Sequence, residues 1–186
     1  LPWNGAPIIP GHEIIGRVEA LGDGVPHLKL GQRVGVPWLG YTCGTCPYCA
    51  MDRENLCDRP LFTGYTRDGG FASHAIANAR YVFPLGEKGE DASLAPFLCA
   101  GMIGWRALVA AGDGERLGLY GFGAAAHIAI QAALSQGRRV FAFTRSEDDR
   151  SQAFARSLGA TWAGGSDELP PEALDAAILF APVGAL

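Results

Sequence analysis

This sequence has no large excess of charge of either sign. Its 186 residues carry 15 Lys and Arg against 19 Asp and Glu, a formal net charge of −4, which removes the electrostatic reason to expect nucleic acid or an anionic membrane as a partner. No apolar run reaches the roughly 20 residues that a membrane-spanning helix needs. No basic segment followed by an apolar one resembles a secretion leader, so a cytoplasmic location is expected. Internal repeats and low-complexity tracts are absent as well. The chain opens at Leu1 without an initiator Met and stops at Leu186 in an apolar stretch, which reads as an excerpt of a longer protein. What is present is ordinary folding material. With 48% hydrophobic and 18% charged residues, one or two domains with real cores are expected.

Cysteine is also scarce, and its placement is uneven. Four of the five cysteines, Cys43, Cys46, Cys49 and Cys57, fall in the stretch "GYTCGTCPYCAMDRENLCDRP". A disulfide knot needs an oxidising compartment and better-separated partners. A redox Cys-x-x-Cys sits at a strand–helix junction as a single pair. Four thiolates in a loop punctuated by Gly44 and Pro47 match a tetrahedral structural zinc, which takes soft ligands and leaves no open position. Four thiolates outweigh the ion's charge, and Arg53 and Arg59 flank the loop to offset the excess.

The chain changes character partway along. Residues 1–90 carry short β-type runs separated by turn residues, among them "EIIGRVEALG", "GQRVGVP", "GGFASHAIA" and "YVFPLG", the pattern of a small barrel or sandwich. Residues 92–111 are apolar with small side chains and read as a helical connector. From 115 onward strands and helices alternate: "RLGLYGFG", then a helix ending at Gly137 as its C-cap, then "RRVFAFT". A helix capped by Ser146, "TWAG" and "LDAAILFAP" complete the run. That alternation predicts a parallel, doubly wound sheet. The expected organisation is two domains, 1–104 and 105–186.

The turn Gly121-Phe122-Gly123-Ala124-Ala125-Ala126 follows a strand and opens a helix. The first Gly allows the tight turn, the second lets a pyrophosphate approach the backbone, and the small Ala126 permits close helix–strand packing. The anion then rests on the free N–H groups of the helix start. The competing reading is a tight turn in a nucleotide-free sheet. Sheets that bind NAD end their second strand in Asp or Glu to bond the ribose hydroxyls. Here the strand ends Phe143-Thr144-Arg145-Ser146, with no carboxylate at its tip. Arg145 can pair bidentately with a 2′-phosphate, so NADP(H) is preferred over NAD. The alternative for Arg145 is a solvated side chain paired with Glu147 or Asp148.

In order along the chain, "PGHEIIGRVEALG", the cysteine loop, "GGFASH", "FLCAGMIGWRAL" and "GLYGFGAAAH" resemble the zinc-dependent medium-chain alcohol dehydrogenases, and most closely their cinnamyl-alcohol-dehydrogenase-like branch. The resemblance spans the whole chain. It implies an α/β protein: a partial GroES-like β-barrel catalytic domain, then a partial Rossmann doubly wound parallel sheet. It also implies a catalytic zinc held by His12 and Cys99, with Glu13 as its acidic neighbour, besides the structural zinc of the cysteine loop. In that role zinc is a Lewis acid on an alcohol or carbonyl oxygen while hydride moves to or from the nicotinamide. Gly121, Gly123, Ala124, Ala126, Thr144, Arg145 and Ser146 are the expected cofactor residues. Taken alone, His12 would be a turn histidine as readily as a ligand, and Cys99 a small core residue. His27, His74 and His127 sit in no matching motif. Trp3, Trp38, Trp105 and Trp162 read as core or interface aromatics, with Trp38 also a candidate pocket wall.

The family pattern places a first zinc ligand and a proton-relay hydroxyl upstream of Leu1, and further strands beyond Leu186. With two ligands in hand the isolated chain is expected to hold structural zinc and to turn over poorly. The expected activity of the parent is reversible NAD(P)-linked oxidation of a small primary or secondary alcohol to an aldehyde or ketone, in a homo-oligomer. The alternatives are a zinc-free quinone or enoyl reductase of the same superfamily, or a non-catalytic zinc-stabilised module.

Overall fold

The computed structural model describes residues 7–182, and the chain falls into two compact units that divide after Cys99. Trp3 lies outside the described residues. Among the described residues no single helix is long and apolar enough to cross a membrane.

The first unit is built from short antiparallel strands. β1 (Ile14–Arg17) pairs with β2 (Arg33–Val36), Ile14 opposite Val36 and Arg17 opposite Arg33, and β2 continues onto β5 (Phe83–Pro84). β3 (Leu39–Tyr41) pairs with β4 (Leu61–Phe62) as a second small sheet. Apolar residues on these elements converge on a core of Leu28, Val34, Val36 and Val82. The guanidinium of Arg33 is buried beside that core. It donates to Asp91 and to the carbonyls of Gly86, Lys88 and Gly89, which satisfies a charge that could not otherwise leave water.

Two expectations for this unit are corrected. "GGFASHAIA" forms no strand. Its first residues instead make backbone bonds to the loop before β1: Gly69 N–H to Ile9 O at 2.7 Å, Gly70 N–H to Gly11 O at 3.0 Å and Phe71 N–H to Pro10 O at 3.0 Å. Glycine is required there because a Cβ on Gly69 would collide with the carbonyls of Gly11 and Pro10. The helical connector is not continuous. α1 (Pro47–Ala50) lies in the cysteine loop, and α2 (Asp91–Leu94) passes into a 3-10 turn over Ala95–Leu98. Cys99 then leaves the helical region, with φ −131 and ψ −80, before α3 (Ala100–Ala110) begins.

The second unit is a parallel sheet with helices. β6 (Arg116–Tyr120), β7 (Arg139–Thr144), β8 (Trp162–Gly165) and β9 (Ala176–Leu179) lie in the order β8-β7-β6-β9, every pair parallel. In chain order this is third, second, first, fourth, the doubly wound arrangement whose ligand crevice opens where the order reverses, at the carboxyl ends of β6 and β9. The middles of β6 and β7 are apolar and buried on both faces, whereas Leu179 of the edge strand β9 is exposed. Leu117, Leu119 and Val140 are fully buried against α4 (Ala124–Ser135) and its neighbours, each contributing about 1.5–3 kcal/mol. Gly104 lets α3 approach α4, since a Cβ there would stand 2.9 Å from Ala125 O.

α4 ends as expected. Gly137 adopts φ +79 while Arg138 N–H bonds Ala133 O and Gly137 N–H bonds Leu134 O, the Schellman pattern. α5 (Asp149–Ser157) does not start as expected: its cap is Asp148, whose carboxylate accepts from Ser151 N–H at 3.0 Å. Ser146 is unavailable as a cap because its hydroxyl is bonded to Asp167. Trp162 packs on Phe143 with ring centroids 5.1 Å apart, whereas Trp105 is exposed on α3.

Candidate metal centres and nucleotide turn

The cysteine loop closes on itself through its sulfur atoms. Gly44, at φ +71, turns the chain after Cys43, and Pro47 at the start of α1 sets the helical turn that carries Cys49 inward. The four Sγ atoms lie within 4.8 Å of one another, with Cys43 and Cys49 at 4.0 Å. A tetrahedron with zinc–sulfur bonds of about 2.3 Å has edges of about 3.8 Å, so the cage fits a single ion. No pair is joined as a disulfide. Backbone N–H groups point at the sulfurs: Cys46 N–H at Cys43 Sγ, and Cys43 and Arg59 N–H at Cys57 Sγ, each at 3.3 Å. Donors from Thr45 and Cys46 lower the Cys43 thiol to about 5, while burial pushes Cys49 up to about 11. Of the two flanking arginines, Arg59 interacts with the cage through a side-chain hydrogen bond with Cys43 and, after it, the charge of that sulfur.

A second cluster gathers His12, Glu13 and Cys99, each offering a ligand atom within 4.8 Å of the others. His12 Nε2 stands 3.2 Å from Cys99 Sγ. A nitrogen and a sulfur on one tetrahedral zinc lie about 3.6 Å apart, so these two atoms are spaced to share an ion. His12 follows Gly11, whose φ of +97 only glycine adopts freely, and the backbone bonds from Gly69–Phe71 hold that turn. Burial, and then the charge of Glu13, push the Cys99 thiol up. It therefore stays protonated until a cation draws the proton off, as a metal ligand must. Unlike the cysteine cage, this trio supplies three donors and leaves a fourth position open.

One aromatic wall flanks the trio. Trp38 meets the His12 ring edge-on at 5.0 Å and stacks on Phe62 at 4.8 Å and on Tyr65 at 5.8 Å. Trp38 was a candidate from sequence; Phe62 and Tyr65 were not. They reach it because β4 pairs back onto β3, a register invisible in strands this short. The remaining histidines are members of neither cluster: His27 bonds Ala79 O, His74 pairs with Glu19, and His127 packs on Phe154.

In the second unit Gly121 takes φ +88 at the end of β6, and a Cβ there would stand 2.8 Å from Ala181 N beyond β9. A Cβ on Gly123 would meet nothing within 4 Å, so this side of the turn is open. α4 begins at Gly123 with no side-chain cap, and Ala126 is fully buried against the sheet. The turn thus has the shape an anionic pyrophosphate needs. Thr144, Arg145 and Ser146 follow at the end of β7, held beside the turn by Gly121 N–H to Phe143 O at 2.8 Å. Missing from the sequence reading was Asp167, which the loop after β8 brings onto Ser146.

Known proteins resemble this chain along its whole length. Residues 2–87 match the alcohol dehydrogenase GroES-like domain. The "Probable alcohol dehydrogenase AdhA" of Mycobacterium tuberculosis (strain CDC 1551 / Oshkosh) is 45% identical over 193 aligned residues, covering 100% of this chain and 55% of that protein. An alcohol dehydrogenase of Geobacillus stearothermophilus is 42% identical over 156, covering 83% and 46%. Among solved structures, the CAD of Helicobacter pylori complexed with NADP(H) superposes with a TM-score of 0.84 at 29% identity, covering 95% of this chain and 53% of that one. The cobalt- and zinc-bound thermostable alcohol dehydrogenase of Pyrobaculum aerophilum gives 0.75 at 26%, covering 89% and 51%. The chain spans about half the length of the curated relatives it matches.

Proposed function

This chain belongs to the alcohol dehydrogenase family through its GroES-like domain, and on that premise we propose that the protein is a zinc-dependent alcohol dehydrogenase exchanging hydride between a small alcohol and NADP(H). The observation that carries the reading is the convergence of His12, Glu13 and Cys99 on one point. A zinc-free reductase has no use for that trio, and a purely structural module has no use for its open position.

Each group on the chain then has a task. His12 and Cys99 anchor the ion, and Glu13 tunes its charge from the exposed side of the cluster. The ion, when bound, supplies Lewis-acid stabilisation of the alcohol oxygen. Trp38, backed by Phe62 and Tyr65, presents an apolar wall that orients a hydrocarbon substituent and keeps water from the reacting carbon. The 43–57 cage takes a second, structural zinc. Gly121, Gly123, Ala124 and Ala126 seat the pyrophosphate at the start of α4, and Thr144, Arg145 and Ser146 meet the ribose end, with Arg145 favouring a 2′-phosphate. The relatives complexed with NADP(H) or bound to zinc support the same assignment.

The experiment is a cofactor-coupled assay of the full-length protein with primary and secondary alcohols, comparing wild type with Cys99→Ser. NADP-linked oxidation that Cys99→Ser lowers by at least a hundredfold supports the reading. Reduction of a quinone or enone by zinc-stripped protein at the wild-type rate overturns it.

A further inference from the structure

Arg145 makes the end of β7 attractive to a 2′-phosphate, yet the folded chain brings a carboxylate to the next residue, Ser146. β8 lies parallel to β7 with Gly165 opposite Thr144, and Ser166 N–H bonds Thr144 O at 2.8 Å. The loop after β8 therefore emerges level with the tip of β7. Its next residue, Asp167, accepts a hydrogen bond from the Ser146 hydroxyl. That approach depends on Gly165, because a Cβ there would overlap both Asp167 and Ser146.

The contact belongs to a fixed arrangement. Glu168 holds the loop, its carboxylate accepting from Gly165 N–H at 2.9 Å and its own N–H donating to Gly165 O at 3.1 Å. Gln152, buried in α5, reaches Arg145 O and Ser146 O at 3.4 Å, and Thr144 Oγ1 donates to Arg145 O at 2.8 Å. The backbone that offers Arg145 and Ser146 is thus pinned beneath them. The Ser146 bond also holds the Asp167 carboxyl below its ordinary range, so it is an anion at neutral pH.

We propose that Asp167 is a cofactor-specificity residue: it opposes the 2′-phosphate that Arg145 attracts and favours an unphosphorylated ribose at the same position. The inference rests on the dinucleotide reading of the glycine turn given above. A 2′-phosphate that reaches Ser146 beside Arg145 meets the Asp167 anion already bonded to that hydroxyl, and it must displace Asp167 to gain the donor. A ribose 2′-hydroxyl carries no charge and can itself donate to the carboxylate, the role Asp or Glu plays at the end of the second strand in NAD-binding sheets. Here the third strand's loop delivers the carboxylate that the second strand lacks. Arg145 and Asp167 act against each other, and the site accepts both cofactors with a narrower preference than Arg145 alone would impose.

The test is calorimetric titration of the chain with 2′,5′-ADP and with 5′-AMP at low ionic strength, for wild type, Asp167→Asn and Asp167→Glu. Asp167→Asn is expected to tighten 2′,5′-ADP by about fivefold, the size of one exposed like-charge contact removed, without tightening 5′-AMP. Asp167→Glu is expected to keep the wild-type ratio, and it covers the case in which Asp167→Asn loosens the loop. An equal loss for both ligands in Asp167→Asn, with a lowered melting temperature and no change of ratio, would mark Asp167 as structural and overturn the proposal. An unchanged ratio in stably folded Asp167→Asn overturns it as well. If wild type binds neither ligand, the nucleotide reading itself fails, and the inference fails with it.

Discussion

His12 Nε2 lies 3.2 Å from Cys99 Sγ although the two residues are 87 positions apart. Neither residue is held there by its sequence neighbours alone. The turn before His12 is fixed by backbone bonds from residues 69–71, and Cys99 sits at a break between a 3-10 turn and α3. A soft and a borderline ligand arriving from separate segments, with a carboxylate beside them, serve no evident packing purpose. They serve a metal.

The glycine turn gives a prediction about backbone. Replacing Gly121 by Ala forces an L side chain into φ +88 and against the backbone of Ala181. Chemical denaturation should show a loss of about 2 kcal/mol, and titration with 5′-AMP should show no binding. The adjacent Gly123→Ala, where a Cβ meets open space, is expected to leave stability within about 0.5 kcal/mol while weakening nucleotide binding.

Two arginines distinguish a buried charge from an exposed one. The Arg33 side chain is 5% exposed and satisfies three carbonyls and Asp91. Arg33→Met should cost about 3 kcal/mol in urea denaturation, because the carbonyls lose their donors. Arg17 pairs with Glu87 at 2.6 Å, but its side chain is 57% exposed. Arg17→Met should cost less than about 1 kcal/mol.

Acid stability follows from Asp175. Its bonds with Arg116 hold its carboxyl down from 3.8 to about 2. A depressed carboxylate contributes stability above its unfolded value and loses it as pH falls toward its folded one. The melting temperature should therefore decline between roughly pH 4 and pH 2, and Asp175→Asn should flatten that part of the profile. An identical acid limb in the variant would remove Asp175 from the account.

Much of this was legible in the linear sequence for particular reasons. The cysteine cage was visible because its ligands are local, so spacing stands in for geometry. The parallel sheet was visible because β6 and β7 are continuous apolar runs followed by helices with glycine C-caps. The start of α5 was misread: Ser146 looks like a cap, but its hydroxyl is spent on Asp167, 21 residues away. "GGFASHAIA" alternates like a strand yet acts as a brace for the His12 turn, since its glycines are there for close backbone approach. The pairing of His12 with Cys99 came from resemblance to a family and from no local pattern. Phe62, Tyr65 and Asp167 carried no sequence signal of their own, because strand pairing decides what they touch.

In the function proposed above, His12 and Cys99 share a metal ion distinct from the one in the cysteine cage. Native mass spectrometry of the zinc-loaded full-length protein tests this. Two zinc ions per full-length protomer are expected, the second lost first to a chelator, and one ion in both His12→Ala and Cys99→Ser with the cage still filled. A single ion in wild type, unchanged by either substitution, would contradict it.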